Sequence, residues 1–502
     1  MISNNSKVCV IGAGAAGLSA VKSCLEEGLQ VVCYEKTSNI GGLWYYRDNV
    51  IDGVGNVQKN TISNSSKEIN AFSDFPYPKE FPNYLPHNKM YEYFQLYANH
   101  FNLWPNIHFD HTILKVDKSD DYETTHNIKI VVKHNDLVFT KTFNGVMVCT
   151  GHHTIPQFPQ FSGQHLFKGK IIHSRDVRSQ LNLKEYENKT AVVVGIGNSG
   201  CDVAVELSNL CDKTYMALRR GGWILHRMGP NGLPIDYQMS TRFKRKLSSI
   251  LPFNIICWYF EIFQYNYRFN HRLYGIEPDF RCFSEIPIIS DVLPTRIICG
   301  KVVVKKNISE FVENGVIFEM VMATGYHYLF PFIDKSLLDH RDDRSLNLYK
   351  QMFPGHLSHW SLALIGAVQP NIATFAIFEM QSRWYALLMS GKCKFPPNDH
   401  IMANINKENQ TRKQQFYDSP KNSLAIDWLA YMDDIADIIG VKPNIKQYLL
   451  SDTQLFIKLI FGPTLSYQYR LVGPHSWSGA RYTIMQSDYR VMYALNPNFI
   501  MG

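Results

Sequence analysis

The clearest pattern at the start of the chain is a pair of short apolar runs with a helical stretch between them. Val8–Ile11 and Val31–Tyr34 are almost continuously apolar, as in parallel strands that are buried on both faces. The apolar positions between them recur with the period of a helix. This order of strand, helix and strand predicts a βαβ unit at the start of a parallel sheet.

The same order returns in the middle of the chain. Ala191–Val194 predicts a buried strand, a helix extends from there to about Leu210, and Thr214–Leu218 predicts the next strand. Two later apolar runs, Val321–Ala323 and Ser361–Ala367, predict further buried strands. The chain therefore contains two βαβ cycles, each followed by additional strands.

Two other segments have different periods. Residues 106–149 alternate between apolar and polar positions, which predicts an antiparallel sheet. Tyr91–Phe101 is amphipathic with a helical period, and we expect Tyr93, Leu96 and Tyr97 to face the core. These segments add an antiparallel layer and a helix to the first cycle.

The length of the chain determines how it is divided. With 502 residues it is too long for one core, and two or three domains are expected. We assign residues 1–158 to a first unit, 159–320 to a second, and 321–502 to a part that completes the first and adds a helical C-terminal region. The predicted fold class is α/β, with two Rossmann-like dinucleotide-binding domains, the second inserted into the first.

The chemistry begins where the first strand ends. That strand runs into a complete G-x-G-x-x-G motif formed by Gly12, Ala13, Gly14, Ala15, Ala16 and Gly17. Such a motif gives a tight turn, lets a pyrophosphate approach the backbone, and directs the N–H groups of a helix N-terminus at the phosphates. Glu35 follows Gly17 by 18 residues (35 − 17), where a carboxylate accepts hydrogen bonds from ribose hydroxyls. These features in register predict a dinucleotide site.

A Gly-Gly turn comes shortly after this acid. In flavoproteins with two dinucleotide sites, a turn in this place brings backbone and an aromatic side chain toward the flavin. We therefore expect Gly42, Leu43 and Trp44 to extend the first site, and we expect its ligand to be FAD.

The second cycle carries a second complete motif with a different ending. Its residues are Gly195, Ile196, Gly197, Asn198, Ser199 and Gly200, followed by Cys201 and Asp202. Arg219 and Arg220 end its second strand, 19 residues after Gly200 (219 − 200), where the first cycle has an acid. An acid would repel a 2′-phosphate, whereas a guanidinium binds it as a fork. The second site is therefore predicted to prefer NADPH to NADH.

Composition and charge exclude several classes of function. The net charge of +7 attracts phosphate-bearing cofactors or an anionic membrane surface, but no basic run or module that binds nucleic acid occurs in the sequence. The ten cysteines are scattered and include no C-x-x-C pair, so neither a metal site nor a disulfide framework is predicted. The sequence begins without the pattern of a signal peptide, and we expect a reducing compartment.

One apolar segment stands apart from the nucleotide cycles. Basic residues at 242–246 precede an apolar run over Leu247–Phe263, within an inserted segment that we place at 242–275. The run is rich in aromatic residues and short for a spanning helix. It fits an interfacial membrane anchor and a buried core helix equally well.

Several motifs together resemble the flavin-containing monooxygenases, in particular the animal members that form dimethylaniline N-oxide. The motifs are Gly41–Trp44, Ser63–Glu68, Phe72–Pro76, Gly197–Asp202, Ala323–Tyr326 and the late stretch from Phe461 to Arg481. This resemblance covers nearly the whole chain. It implies that NADPH reduces FAD, that O2 adds to the flavin C4a atom, and that the hydroperoxide oxygenates an amine nitrogen or a sulfide sulfur of a small molecule.

The resemblance also implies roles for the loop at residues 63–65. Asn64 matches the family asparagine between flavin and nicotinamide, so it is the candidate catalytic residue, and its amide can donate a hydrogen bond without supplying an acidic proton. Ser63 flanks it on the NADP side and Ser65 on the FAD side. The implied location is the cytosolic face of the endoplasmic reticulum membrane, with peripheral association. The missing hydrophobic tail keeps a cytoplasmic location open.

Two alternatives remain beside this interpretation. A Baeyer–Villiger monooxygenase shares the scaffold, but Phe167 stands where its fingerprint has histidine, and no Trp-Pro follows. The segment before Val321 is shorter than the family pattern. This departure leaves room for an uncoupled NADPH oxidase or a non-catalytic flavoprotein.

Overall fold

The computed structural model describes residues 6–158, 160–177, 180–306, 308, 311, 319–322, 325–339, 346–417 and 420–498. Strands and helices are numbered in chain order. The first sheet contains β1 (Lys7–Ile11), β2 (Gln30–Tyr34), β3 (Ile107–His108), β7 (Gly145–Val148) and β19 (Leu362–Leu364). Its strands are all parallel and lie in the order β19-β7-β1-β2-β3. The first predicted βαβ unit is therefore confirmed at the centre of this sheet.

The second predicted βαβ unit forms a separate parallel sheet. Its strands are β9 (Ile171–His173), β10 (Thr190–Val194), β11 (Lys213–Leu218), β14 (Val302–Lys306) and β15 (Glu319–Met322). They lie in the order β14-β11-β10-β15-β9. The sequence places a domain boundary at 320/321, which would cut β15. Because β15 pairs with β10 and β9, we propose that the boundary lies after Met322.

The remaining strands are antiparallel or very short. The predicted antiparallel sheet is confirmed as β4 (His111–Lys118), β5 (Ile128–His134) and β6 (Leu137–Phe143). The short pairs are β8 (Ile155–Pro156) with β16 (Tyr326–His327), β12 (Ile224–Leu225) with β13 (Ile288–Ile289), β17 (Leu348–Tyr349) with β18 (Phe353–Pro354), and β20 (Gln369–Pro370) with β21 (Ala425–Ile426). The β8–β16 pair joins the two segments that cross between the two parallel sheets.

Fifteen α-helices occur within the described residues. They are α1 (Ala15–Glu26), α2 (Lys67–Asn70), α3 (His87–His100), α4 (Tyr122–Thr125), α5 (Asn198–Leu207), α6 (Ile235–Met239), α7 (Arg242–Ile250), α8 (Phe253–Phe260), α9 (Leu293–Ile298), α10 (Phe375–Met389), α11 (Asn398–Gln415), α12 (Trp428–Ile438), α13 (Tyr448–Ser451), α14 (Thr453–Phe461) and α15 (Ala480–Leu495). Within these described ranges, none of the helices combines the length and the apolar character needed to cross a bilayer.

The largest core lies between the first sheet and the C-terminal helices. Helix α1 packs against α10, and the hydroxyls of Ser19 and Ser382 lie 3.4 Å apart at this contact. Helix α10 is buried almost all round, as expected of a helix between a sheet and an outer helical layer. This packing fixes the N-terminus of α1, which carries the first glycine motif.

The structure corrects one sequence prediction about helices and bears on two alternatives that the sequence leaves open. In α3 the buried stripe runs through Met90, Tyr93, Phe94, Tyr97 and Ala98, so the prediction for Leu96 is wrong and its side chain is 38% exposed. The apolar run at 247–263 covers the end of α7, helix α8 and the start of a π-helical turn at Glu261–Tyr265, and much of its apolar surface faces outward, as expected of an interfacial helix rather than a core helix. The segment 312–318, Ala323 and Thr324 lie outside the described residues.

Candidate active site

The first glycine motif forms the turn between β1 and α1. Gly12 has a φ of +99°, which favours glycine, and a Cβ atom there would lie 2.9 Å from the Cys149 carbonyl oxygen. A Cβ atom on Gly17 would lie 1.8 Å from the Gly12 carbonyl oxygen, so only glycine lets the helix approach the turn. The α1 N-terminus therefore reaches the end of the sheet with its first N–H groups free for an anion.

Glu35 lies beside this turn, where the sequence predicts it. Its Oε2 accepts a 2.6 Å hydrogen bond from the Ala13 N–H, and its Oε1 accepts from the Thr37 N–H and hydroxyl. The carboxylate is buried and lines the cavity described below. Its remaining lone pairs can accept hydrogen bonds from the vicinal hydroxyls of a ribose.

The Gly-Gly turn packs directly on the first motif. The Gly41 N–H donates to the Ala13 carbonyl at 2.9 Å, and a Cβ atom on Gly42 would lie 3.0 Å from the Gly14 Cα atom. Gly42, Leu43 and Trp44 line the same cavity as Glu35. The structure thus brings the predicted first-site residues together, with Ala13 and Gly17 supporting the turn from behind.

The second motif forms the equivalent turn between β10 and α5. Gly195, Gly197, Asn198, Ser199 and Asp202 line the cavity. The Asn198 side chain accepts a 2.8 Å hydrogen bond from the Ile289 N–H, which ties the start of α5 to the neighbouring strand.

Two residues of the predicted second site lie behind this turn. The prediction that Cys201 faces the second site needs correction. Cys201 is fully buried in the core of the second sheet, and its thiol lies 3.5 Å from the Ile196 carbonyl oxygen. Gly200 is also buried and away from the cavity wall. Both residues support the turn rather than face a ligand.

Arg219 and Arg220 lie at the end of β11, on the cavity wall, and both are exposed. The Arg220 Nε atom lies 3.4 Å from an Asp279 oxygen, and its guanidinium stacks 4.7 Å from the Tyr417 ring centre. Arg219 has no ion-pair partner among the residues that the structure describes. Its planar fork is therefore available for an anion such as a 2′-phosphate.

One cavity of about 1660 Å³ runs past both turns. This volume exceeds the roughly 300–1,000 Å³ of a typical pocket for one small ligand. We call the two glycine turns, at residues 12–17 and 195–200, the first and second nucleotide cradles. Ser63, Asn64 and Ser65 lie on the cavity wall together with residues of both cradles. The Ser63 hydroxyl donates to the Ser65 carbonyl and accepts from the Leu85 N–H, and the Ser65 hydroxyl donates to the Ile372 carbonyl. These serines therefore shape the loop, and Asn64 is exposed to the cavity.

Sequence reasoning missed the arginine that holds Asn64. The Arg227 Nη2 atom donates to Asn64 Oδ1 at 2.8 Å, and its Nε atom donates to the Ser63 carbonyl at 3.0 Å. Its Nη1 atom donates to Asp291 at 2.7 Å. Arg227 is 163 residues from Asn64 in sequence, so no local spacing could have shown the contact.

A second contact, from Asp236, holds the same loop two residues after Asn64. Asp236 accepts a 2.6 Å hydrogen bond from the Ser66 N–H and a 3.1 Å hydrogen bond from the Tyr84 hydroxyl. Burial raises the pKa of Asp236, although these hydrogen bonds oppose the shift. The segment around residues 227–236 thus positions the loop that carries Asn64.

Asp202 is an unusual neighbour for a phosphate site. Burial raises its pKa to about 6, while the positive charge of Arg227 opposes this and the negative charge of Glu206 adds to it. Its carboxyl group lies on the wall of the second cradle. The charge of this cradle therefore changes in mildly acidic solution.

The end of the cavity beneath α8 is aromatic. Phe253, Phe260, Tyr265 and Phe283 line it. Behind them, ligand-type atoms of Cys257, Glu261 and Cys282 lie within 4.8 Å of one another. Glu261 Oε1 already accepts from the Arg281 side chain and the Cys282 N–H, so the carboxylate has structural partners there.

Comparison with known proteins agrees with this geometry. The model of the flavin-binding monooxygenase-like family matches residues 5–501. The chain is 40% identical to dimethylaniline monooxygenase (N-oxide-forming) 2 of Oryctolagus cuniculus over 501 residues, which cover 97% of this chain and 93% of that protein. It is 40% identical to flavin-containing monooxygenase 5 of Rattus norvegicus over 497 residues, with 97% and 92% covered.

Solved structures share the fold at lower identity. The S-allyl-L-cysteine S-oxygenase of Allium sativum superposes with a TM-score of 0.65 at 19% identity, covering 98% of both chains. A closed cyclohexanone monooxygenase gives a TM-score of 0.60 at 15% identity, covering 87% of this chain and 98% of the other. With two nucleotide cradles on one cavity and a match over nearly its whole length, this chain belongs to the flavin-binding monooxygenase-like family, and its cofactors are FAD and NADPH.

Proposed function

We propose that this enzyme uses NADPH and O2 to oxygenate soft nucleophilic nitrogen or sulfur atoms of small molecules. The observation that carries the proposal is the shared cavity, which is lined by residues of both nucleotide cradles and by Asn64. The names of two similar proteins agree with it, since one forms an N-oxide and the other oxygenates a sulfur. The aromatic end of the cavity favours substrates with an apolar body.

The residues of the chain would bind and orient rather than react. The glycine turns and the N-termini of α1 and α5 hold the pyrophosphates, Glu35 the adenosine ribose of FAD, and Arg219 with Arg220 the 2′-phosphate of NADPH. Bound FAD supplies the redox and oxygen chemistry. The Asn64 amide would donate hydrogen bonds into the cavity, where the bound cofactors would lie. Because oxygenation of a soft nucleophile needs no general base, the main task of the chain would be to exclude water and stray protons.

Replacing Asn64 with alanine tests this role. The variant should keep its FAD but release hydrogen peroxide in place of oxygenated product, because the amide donor is lost from the reaction space. Product, hydrogen peroxide and NADPH are measured together for one tertiary amine and one sulfide. Asn60→Ala is the matched control, since Asn60 lies in the same segment but its side chain donates to Glu206 outside the cavity. A product-to-NADPH ratio equal to that of the wild type would remove Asn64 from the mechanism.

We further propose peripheral attachment to the cytosolic face of the endoplasmic reticulum membrane. Helices α7 and α14 contact one another through Phe243 and Phe461, whose ring centres are 5.1 Å apart. These two helices, α8 with the residues next to it, and α13 carry exposed apolar side chains that we call the apolar ridge: Phe243, Leu247, Ile250, Leu251, Phe253, Ile255, Trp258, Tyr259, Ile262, Phe263, Leu449, Leu450, Ile457 and Phe461. Exposed lysine and arginine side chains at 244–246 border this ridge, which suits an anionic lipid surface.

Flotation with vesicles tests the membrane proposal. The wild type should float with vesicles that contain anionic lipid, and Trp258→Ser should float less, since this side chain is 56% exposed at the ridge. Leu137→Ser is the control, because Leu137 is also exposed but lies on the β5–β6 hairpin, away from the ridge. A protein that never floats with anionic vesicles would favour a cytoplasmic location.

A further inference from the structure

Arg227 connects the second unit of the chain to the loop that carries Asn64. Its guanidinium is only 17% exposed, and each of its three nitrogens donates a hydrogen bond. Nη1 donates to Asp291, Nε to the Ser63 carbonyl, and Nη2 to the Ile62 carbonyl and to Asn64 Oδ1. The backbone N–H of Arg227 also donates to Asp291, at 2.8 Å. The arginine is thus held on one side and holds the loop on the other.

The chemistry of this contact decides which way the Asn64 amide points. A guanidinium can only donate hydrogen bonds, so the amide must present its oxygen, never its nitrogen, to Arg227. The amide nitrogen of Asn64 is then directed elsewhere. Among the residues that the structure describes it has no acceptor, and Asn64 is exposed on the cavity wall. Both N–H groups are therefore available to a ligand in the cavity.

The Asp291 carboxylate, which anchors Arg227, keeps its negative charge across the neutral pH range. Burial would raise the pKa of Asp291, but the nearby His226 ring, whose Nδ1 lies 3.7 Å from the carboxylate, and the hydrogen bonds from Arg227 outweigh burial and hold the pKa at about 2. The carboxylate therefore stays ionised in any working buffer. The Tyr84 hydroxyl adds a further support, because it shares its one proton between the Arg227 carbonyl at 2.8 Å and Asp236 at 3.1 Å.

We propose that Arg227 is a positioning residue that acts through Asn64. Because Asp291 fixes the guanidinium, the Asn64 amide can bind it only with its oxygen, and the NH2 group therefore points toward the cavity. The inference rests on the proposed function of Asn64. It makes the pair Arg227–Asp291, on the second unit, responsible for the donor that the first unit presents to the cofactors. Without the guanidinium, the amide can rotate and present its oxygen instead.

A double-mutant cycle tests whether the two residues act as one. Arg227→Gln, Asn64→Ala and the double variant are compared as FAD-loaded proteins, with two measurements for each. The first is the dissociation constant of NADP+, taken from the change in flavin absorption. The second is hydrogen peroxide released per NADPH oxidised. Each single variant should weaken NADP+ binding about tenfold, as expected for one lost charge-assisted or cavity-facing hydrogen bond.

The double variant carries the decisive result. If Arg227 acts through Asn64, the double variant should be no worse than Asn64→Ala alone in either measurement. Arg227→Lys should fall between the wild type and Arg227→Gln, because a single ammonium cannot reach both Asn64 and Asp291 as a fork does. Arg268→Gln is the matched control: Arg268 holds the same segment through the Met228 carbonyl and does not touch Asn64, so this variant should behave as the wild type.

Several outcomes would overturn the inference. Effects of Arg227→Gln and Asn64→Ala that multiply in the double variant would show independent roles, and an Arg227→Gln variant equal to the wild type would show none. If Arg227→Gln loses its FAD, Asp291→Asn replaces it, since that variant keeps the guanidinium but removes the negative charge that anchors it. A wild type that gives no NADPH-dependent oxygenation at all would contradict the proposed function instead.

Discussion

Replacing Arg219 with alanine should weaken the use of NADPH and leave the use of NADH nearly unchanged. The side chain is exposed on the cavity wall at the end of β11, and it has no ion-pair partner within the described part of the chain. Its hydrogen-bonding capacity is therefore not shared with a carboxylate before the nucleotide binds. NADH lacks the 2′-phosphate, so it gains nothing from this side chain.

The expected size follows from the chemistry of the contact. A hydrogen bond to a charged group contributes about 1.5–3 kcal/mol net, which corresponds to about a 10- to 140-fold loss in kcat/KM for NADPH. Arg220→Ala should have a smaller effect, about fivefold at most, because its guanidinium already stacks on Tyr417 and lies near Asp279. The two arginines are thus expected to be unequal, although the sequence places them side by side.

The assay compares NADPH and NADH oxidation in steady state with one amine substrate at saturation. Arg272→Ala serves as the control, because Arg272 is exposed in the same unit but does not line the cavity. The ratio of kcat/KM for NADPH to that for NADH should fall in Arg219→Ala and stay constant in the control. An equal loss with both nucleotides would refute the assignment of the 2′-phosphate to this residue.

Further predictions concern acid–base behaviour and stability. Because the Asp202 carboxyl has its pKa raised to about 6, it is largely neutral below that pH and negative above it, so the KM for NADPH should rise between pH 5 and 7 in the wild type and change less in Asp202→Asn. A KM profile that is the same in both proteins would show that the charge of this carboxylate does not affect NADPH binding. Arg470→Met should lower the free energy of unfolding in urea by about 3–5 kcal/mol, because the buried Glu379 carboxylate loses its cationic partner and Asp74 keeps only the Lys22 ion pair among the described residues. Arg481→Met, which breaks an exposed pair, should cost less than about 1 kcal/mol, and equal losses would contradict the argument from burial.

Features encoded over a short stretch of sequence lie where their spacing predicts them. Both glycine turns, Glu35 and the paired arginines follow from spacing within one βαβ unit, and the structure brings them to one cavity. Leu96 shows the limit of an amphipathic pattern. The stripe through Met90, Tyr93 and Tyr97 is one helical face, and Leu96 lies off its edge even though its side chain is apolar.

Features that depend on distant residues were not predictable. Arg227 and Asp236 reach the loop at 62–66 across more than 160 residues, and neither belongs to a motif with a known spacing. The position of β15 in the second sheet depends on pairing with β10 and β9, which an apolar run alone does not specify. Cys201 was misassigned because adjacent positions at a helix start face opposite ways, one to the cradle and the next to the core.

We propose that one chain holds FAD and a 2′-phosphorylated nicotinamide nucleotide in a shared cavity. This arrangement is tested by mixing the purified holoenzyme anaerobically with NADPH or NADH and monitoring the loss of flavin absorption. We expect one FAD per chain and bleaching that is much faster with NADPH than with NADH at equal concentration. A colourless protein that does not take up FAD, or a flavin reduced equally fast by both nucleotides, would contradict it.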